Sequence, residues 1–492
     1  MIGFPKETPV PDIHSLAATP LCHLLGCRQP LILAGMGGVA RAELAAAVSG
    51  FGGFGFLGMV REPLALIERE VAQVRRLTDQ PFGVNLIPAG TARALLRSQV
   101  DLCIALGVSA VELFWDIDAW VIERLRSAGI TVVHQVGSAR DALHAQAAGA
   151  HALIAQGVEA GGHVWGRQPL LPLLDEVLGC VGIPVAAAGG LADGRDVGRV
   201  LAQGAQAAVL GTALMATTES FAHEVHKQRL VSGKAADTLL TEDFHVNWPP
   251  HAAVRVLPNA VTRGERGDPF TSAPQVIGEE EGRPIYLFST DSPLRSMTGE
   301  LETMALYAGK GIDRISAIVP AAERLRQIAE AAAAHLRLVG NAVQPLASPV
   351  CYAAEVQQGE RQPVVAALQD LLLRERALTQ LVFESLREAQ GTALHPCLAS
   401  LLHEQAKACG VLVRALRALD ARPDAVPSGL CEQGRSMPDV QERLQWLTGV
   451  RREMAQQWQG LAGQLDGSCA LACAEVSRLY QAALAPVEMG GD

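Results

Sequence analysis

Between residues 30 and 212, eight short apolar runs alternate with helix-length segments, many of them closed by glycine, and beyond residue 358 only helical patterns remain. These observations predict an α/β chain: a (β/α)8 TIM barrel with an appended small subdomain and a C-terminal all-α helical bundle. The strands, in order, are "PLILAG", "FGFLGM", "PFGVNLI", "SAVELF", "TVVHQV", "HALIAQ", "PVAAAGG" and "AAVLGT". Segments such as "RAELAAAVSG", "PLALIEREVAQVRRL" and "ARDALHAQAAGA" supply helices between them. Strands covered by helices on both faces read as near-continuous apolar runs, and in such a barrel the loops that follow the strands build the active site.

After the eighth strand the pattern changes. Residues 217–300, rich in Pro, Asn and Gly, are expected to form a largely irregular excursion packed on the barrel. Two helices, in "ELETMALYAGKGI" and "PAAERLRQIAEAAAAHLRLV", then close a first unit spanning residues 1–342. "GNAVQPLASPV" marks a linker over 343–358, and 359–492 carry four helical patterns, a bundle for which a ferritin-like form is one option. In the first, Val364, Leu368, Leu371, Leu378, Val382 and Leu386 share a stripe. The third starts at "SMPD", where Ser436 suits a cap and Pro438 an early helical position, and runs through Val440, Leu444, Leu447, Met454, Trp458 and Leu461.

Composition narrows the function. A chain of 492 residues, 49% apolar and with a net charge of −10, is globular, holds at least two domains and lacks the basic surface that nucleic acid or an anionic membrane demands. The opening "MIGFPKETPVPDIHS" has no secretory pattern and no run reaches about 18 apolar residues, so a cytoplasmic location is expected. Ten cysteines without a CxxC pair read as buried thiols rather than a disulfide framework, and Cys469 and Cys473 as core packing rather than metal ligands.

The chemistry concentrates at strand ends. "GFGGFG" at 50–55 precedes a strand and makes a tight turn, while "GMGGVA" at 35–40 follows one, but eight β/α units argue against a dinucleotide fold. "AAAGGLADG" at 186–194 and "VLGTAL" at 209–214 end the seventh and eighth strands, where barrels commonly bind phosphate through backbone N–H groups. There Gly189, Gly190 and Gly211 admit close approach, Thr212 adds a hydroxyl, and a phosphorylated cofactor is expected. His163, in "QGVEAGGHVWG", stands over the same mouth as a base or hydrogen-bond donor, with Gly161 and Gly162 letting the backbone run near a flat ring. His134 and His151 border strands, and His223 and His226 are expected to be solvated.

Together "QGVEAGGH", "AAAGGLADGRDV", "VLGTALMATTES", "GVNL" at 83–86 and "RVLPN" at 255–259 resemble the FMN-dependent nitronate monooxygenase family, over roughly two-thirds of the chain. The resemblance implies an FMN held by Asn85, Gln156, Gly161, Gly190 and the backbone of Leu210 and Gly211 through Thr212, with Gly162 and Gly189 beside it and Gly35 and Met36 in the loop beneath. It makes His163 the catalytic base or substrate-orienting residue, and the reaction the oxidation of a nitronate or nitroalkane by O2 to a carbonyl compound and nitrite. Gly35 stands where many relatives have Pro, which loosens that loop, and "ELFWDID" with Trp115 and Asp116, together with Trp165, departs from the family pattern. An NAD(P)H-dependent flavin enoyl-thioester reductase, which shares an "EAGGH"-like segment, is one alternative. A non-catalytic flavin-binding scaffold with a helical interaction module is another.

In the bundle Glu375 falls on the apolar stripe, yet Glu404 is followed three residues later by Lys407 rather than His, so no metal is expected. Glu375 is expected to pair with Arg374 or Arg451. The partners expected are a small-molecule substrate and O2, with homo-oligomerisation through the bundle left open.

Overall fold

The computed structural model describes residues 16, 18–249, 252–342, 361–418, 430–437, 439–462 and 477. A short helix α1 (Pro20–Leu25), capped by Thr19 accepting from the Cys22 N–H, leads into the first strand. The sheet is a closed barrel of parallel strands: β1 (Leu31–Leu33), β2 (Phe54–Gly58), β3 (Phe82–Leu86), β4 (Ala110–Leu113), β5 (Thr131–Val136), β6 (Ala152–Gln156), β8 (Val185–Ala188) and β9 (Ala208–Leu210). Closure is made by β1 against β9, with Ile32 opposite Val209, while Gly58, Asn85 and Glu112 follow one another across β2, β3 and β4. The eight apolar runs of the sequence are these strands. The short pair β7 (Gly162–His163) lies outside the barrel sheet.

Side-chain alternation sets what the barrel encloses. Ile32, Phe56, Ala110, Val133, Ile154, Ala186 and Val209 pack in one apolar core. Two residues further along the same strands come Ala34, Gly58, Glu112, Gln135, Gln156, Ala188 and Gly211. Asn85 joins that layer from β3.

Helices α2 (Ala42–Phe51), α3 (Leu64–Leu77), α4 (Arg93–Leu106), α5 (Ala119–Ser127) and α8 (Gly194–Ala202) intervene between strands. In α8, Asp193 accepts from the Asp196 N–H at 2.9 Å, and Asp196 accepts in return from the Asp193 N–H at 3.4 Å, a reciprocal cap that fixes the turn after β8. The four-residue α9 (Thr212–Met215) follows β9, and the long α11 (Ala321–Ala342) packs on α8 and α2.

The excursion over 217–300 is more ordered than its composition predicts. It holds α10 (Glu224–Ser232), strands β10 (Leu239–Thr241) and β11 (Val254–Val256), and a small sheet of β12 (Val276–Glu280), β13 (Arg283–Tyr286) and β14 (Met297–Gly299). A buried cluster including Phe244, Val254, Val256, Ile285, Leu294 and Met297 supports it, so tertiary burial overrides the weak local signal. Conversely, "ELETMALYAGKGI" forms no α-helix: it contains two 3-10 turns, Leu301–Thr303 and Ile312–Arg314, because Gly309 N–H donates to Thr212 Oγ1 at 3.0 Å and Leu257 N–H to Leu306 O at 2.8 Å, pinning an extended path.

The chain divides into two compact units, and the second joins Val136–Ala148 and Gln168–Val185 to the C-terminal part. In that unit α6 (Ala139–Ala148) and α7 (Leu170–Cys180) meet α12 (Arg361–Glu388) and α13 (His395–Ala418), accompanied by α14 (Leu430–Arg435) and α15 (Val440–Ala462). Arg376 on α12 donates from Nε to Gly179 O at 2.7 Å, satisfying a carbonyl at the end of α7. The predicted stripes hold: Leu368, Leu378 and Val382 are buried, as are Leu447, Met454 and Trp458. The start of α15 differs, since Asp439 rather than Ser436 accepts from the Gln441 N–H, at 2.7 Å, and Ser436 instead donates to Gln433 O. Pro438 and the linker expected over 343–358 lie outside the described residues. No described helix is long and apolar enough to cross a membrane.

Candidate active site

At the C-terminal mouth of the barrel lies a cavity of about 750 Å3. Of the residues singled out from the sequence, Gly35, Met36, Asn85, Gln156, Gly161, Gly162, His163, Gly189, Gly190, Gly211 and Thr212 all line it. Leu210 does not: it is fully buried in β9, and its carbonyl accepts from the Ala34 N–H at 3.1 Å.

The glycine turns are what the loops require. Gly189 and Gly190 have φ of 117° and 69°, the left-handed region, and a Cβ on Gly190 would stand 2.9 Å from Glu159 Cβ. Arg314 Nη2 donates to Gly190 O at 2.7 Å and pairs with Asp196, so the turn is tied to the cap of α8. Thr212 Oγ1, occupied as an acceptor by Gly309, keeps its proton for another group.

His163 is positioned by backbone pairing. Its short strand β7 lies antiparallel to β11, with His163 opposite Val254, and Gln156 Nε2 donates to His163 O at 2.9 Å while the Trp165 N–H donates to Gln156 Oε1 at 3.3 Å. Gln156 therefore lines the cavity with its amide committed to the histidine loop. Arg255 clamps the other side, donating from Nη2 to Val158 O at 2.9 Å. The imidazole stacks on Trp248, with centroids 3.6 Å apart and planes at 22°, and Tyr307 stands 5.9 Å away. Burial, with the charge of Arg61 adding to it, lowers the His163 pKa to about 3, so the ring is neutral at physiological pH.

The departures noted in the sequence have separate fates. Trp115, with φ of 77°, is buried and braces Trp248 edge-on at 5.7 Å, whereas Trp165 is 41% exposed; it is Trp248, from the excursion, that lines the cavity. His226 is fully buried rather than solvated, its Nε2 3.0 Å from Tyr307 O, and burial lowers its pKa to about 4. At Gly35 a Cβ would come 2.2 Å from Asn85 Cβ, so the glycine makes room for the polar residues beside it.

Residues missed from the sequence are Glu112, Gln135, Arg61, Trp248 and Tyr307, all lining the cavity. For Glu112 and Gln135 the period-two alternation from Ala110 and Val133 would have found them. Glu112 is 2% exposed and its pKa is pushed up to about 8 by burial, against hydrogen bonds from the Gly35 N–H and the Asn85 side chain. Six buried atoms of cavity-lining residues, Arg41 Nη1, Asn85 Oδ1, Glu112 Oε2, His163 Nε2, Trp248 Nε1 and Asp291 Oδ2, have no hydrogen-bond partner within the protein. A buried polar atom left so costs about 1–3 kcal/mol, and on Asn85 and Glu112, neighbours on β3 and β4, it marks where the edge of a polar ring fits. With the glycine turns after β8 and β9 lining the same cavity, these groups suit a flavin that carries a phosphate.

In the second unit, Glu375 is fully buried and accepts from Gln405 Nε2 at 3.3 Å, while Arg374 pairs with Asp370 at 2.8 Å instead. Among the described residues no group of three or more His, Cys, Asp or Glu is placed to hold a metal.

Known proteins resemble part of the chain. Among solved structures, a mutant of FabK from Thermotoga maritima superposes with a TM-score of 0.56 at 28% identity, covering 66% of this chain and 99% of that one. Nitroalkane oxidase from Streptomyces ansochromogenes gives 0.54 at 32% identity, covering 65% and 99%. Among curated proteins, a Mycobacterium tuberculosis (3aS,4S,5R,7aS)-5-hydroxy-7a-methyl-1-oxo-octahydro-1H-indene-4-carboxyl-CoA dehydrogenase is 36% identical over 53% of this chain and 73% of its own length. A probable nitronate monooxygenase of Staphylococcus haemolyticus is 30% identical over 46% and 75%. Residues 362–459 match a domain of unknown function. The nitronate monooxygenase family model matches residues 18–331, across every barrel strand and the cavity between their ends, and the chain belongs to that family of flavoprotein oxidoreductases.

Proposed function

We propose that this protein is an FMN-dependent oxidoreductase that oxidises an alkyl nitronate with O2 to a carbonyl compound and nitrite. The observation that carries the reading is His163: a neutral imidazole with an unpartnered Nε2 on the cavity, near the positive charge of Arg61. A neutral ring held this far from protonation is a poor resting place for an abstracted proton, but a good hydrogen-bond partner for an oxygen-bearing anion. A nitronate arrives already deprotonated and needs no base. Trp248, stacked on the imidazole, holds its orientation and excludes water from one face. In this reading Gly189, Gly190, Gly211 and Thr212 take the phosphate of FMN, and Asn85 takes its ring. Bound there, FMN supplies the electron-accepting chemistry.

A second reading rests on the same neutral histidine, which would equally orient a thioester carbonyl: an NAD(P)H-dependent flavin enoyl-thioester reductase. The CoA-ester dehydrogenase and FabK relatives favour it. The two readings part on the electron donor. Anaerobic mixing of the flavin-loaded protein with a small alkyl nitronate, and separately with NADPH, is expected to bleach the flavin band with the nitronate alone. Bleaching by NADPH only would overturn the first reading in favour of the second.

A further inference from the structure

We propose that Glu112 is a flavin ligand: its carboxyl, set beside Asn85 in the top inward layer of the barrel, donates a hydrogen bond to the polar edge of the bound ring. The inference rests on the FMN reading above, and deepens it.

Four observations converge. Glu112 is an acid on a barrel strand whose inward neighbour, Ala110, belongs to the apolar core, so its side chain emerges at the cavity floor rather than at the surface. It is 2% exposed, and Oε2 finds no protein partner. Gly35, the residue directly above, lacks the Cβ that would sit 2.7 Å from that same Oε2, so the sequence clears space around this atom. Finally, Glu112 belongs to a run of polar residues, Asn85, Glu112, Gln135 and Gln156, contributed by consecutive strands β3 to β6 and all lining one cavity.

Two members of that run have been assigned tasks: Gln156 holds the histidine loop, and Asn85 is carried by the family resemblance. The carboxyl between Asn85 and Gln135 accepts from the Gly35 N–H and the Asn85 side chain, which leaves Oε2 without a partner within the protein. An isolated buried carboxylate is costly, whereas a neutral carboxylic acid is a donor as well as an acceptor. Burial favours that neutral form, since it moves the Glu112 pKa upward. A donor at the pyrimidine edge of a flavin stabilises the reduced ring, which carries more electron density there, over the oxidised one.

The test uses the full-length protein reconstituted with FMN, comparing wild type with Glu112→Gln, Glu112→Leu and Glu112→Asp. Gln keeps a donor of nearly the same reach; Leu removes it; Asp withdraws the group by one methylene while keeping the site polar. FMN dissociation is followed by flavin fluorescence, and the midpoint potential by dye-coupled reduction. Leu and Asp are expected to weaken FMN binding by about tenfold and to lower the potential by about 30 mV, the shift equal to a tenfold change in relative affinity for the two redox states of a two-electron couple. Gln is expected to stay within about threefold of wild type in affinity, with its potential unmoved. Wild-type affinity and potential in both Leu and Asp would overturn the inference, and should Leu fail to fold, Asp alone decides it. A Gln variant shifted as far as Asp would also overturn it, because the donor would then not be what matters. Failure of the cofactor reading looks different: wild-type protein that takes up no FMN at all.

Discussion

The mouth of this barrel has two unlike halves. On β8, β9, β1 and β2 the top inward layer is Ala188, Gly211, Ala34 and Gly58; on β3 to β6 it is Asn85, Glu112, Gln135 and Gln156. The first half carries side chains too small to fill the mouth, and the glycine turns after β8 and β9 line the cavity there. The second presents side-chain atoms. Under the proposed FMN reading, the difference lets one cavity serve a molecule with an anionic tail and a polar flat head, the small-residue side facing the phosphate and the polar side facing the ring edge. His163 belongs to neither half. It hangs over both from β7, and β11 of the excursion keeps it there.

Removing that overhang is the largest perturbation, and it separates binding from chemistry. His163→Ala is expected to retain its flavin and to lose turnover by about 10²–10⁴-fold. Steady-state oxygen uptake with a nitronate, alongside the flavin-to-protein absorbance ratio, checks both; unchanged turnover would remove His163 from the mechanism. The backbone half is broken next by Gly190→Val, which forces a β-branched residue into a left-handed turn and against Glu159. Strain of about 1–3 kcal/mol predicts FMN binding weakened by roughly 5–150-fold, and a mutant that copurifies with full flavin would show that the turn does not hold the phosphate.

The histidines of the overhang give a pH signature. His163 and His226 have folded pKa values lowered to about 3 and about 4, from an ordinary value of 6.5. Between those values the unfolded chain binds more protons than the folded one, so stability rises with pH there and is lost as pH falls from about 6.5 toward 4. Thermal melts in that window are expected to show a declining midpoint, with a shallower decline in His226→Gln. An identical slope in the two proteins would mean that His226 is not buried as a neutral ring.

The two halves were not equally legible in the sequence. Glycines mark a backbone surface openly, since Gly189, Gly190 and Gly211 stand out where a strand ends. Glu112 is quieter: in "SAVELF" a single acid looks like a strand-end irregularity, and only its register, two residues beyond Ala110, turns it inward. Trp248 and Tyr307 were hidden for another reason. Each comes from a stretch whose local pattern misleads, one through its prolines and one through a helical periodicity, and each reaches the cavity by pairings far apart in sequence, such as that of β11 with β7. The barrel was legible because its signal repeats locally eight times. The roof over its mouth was not, because it is made by contacts between residues nearly a hundred positions apart.

The smallest effect expected lies at the edge of the backbone half, in Thr212. Its Oγ1 accepts from the Gly309 N–H at 3.0 Å, which leaves the hydroxyl proton to point elsewhere, and the neighbouring Gly211 and Gly190 turns line the same cavity. Thr212→Val keeps the shape and removes the Gly309 bond together with the free hydroxyl proton. One hydrogen bond is worth about 0.5–1.5 kcal/mol, so FMN affinity is expected to fall by only about 2–10-fold. The comparison with riboflavin sharpens this: if the hydroxyl serves the phosphate, the variant loses affinity for FMN and none for the unphosphorylated ring. Equal losses for both ligands would place the effect in the Gly309 contact instead, and the backbone half would then hold its phosphate through main-chain N–H groups alone.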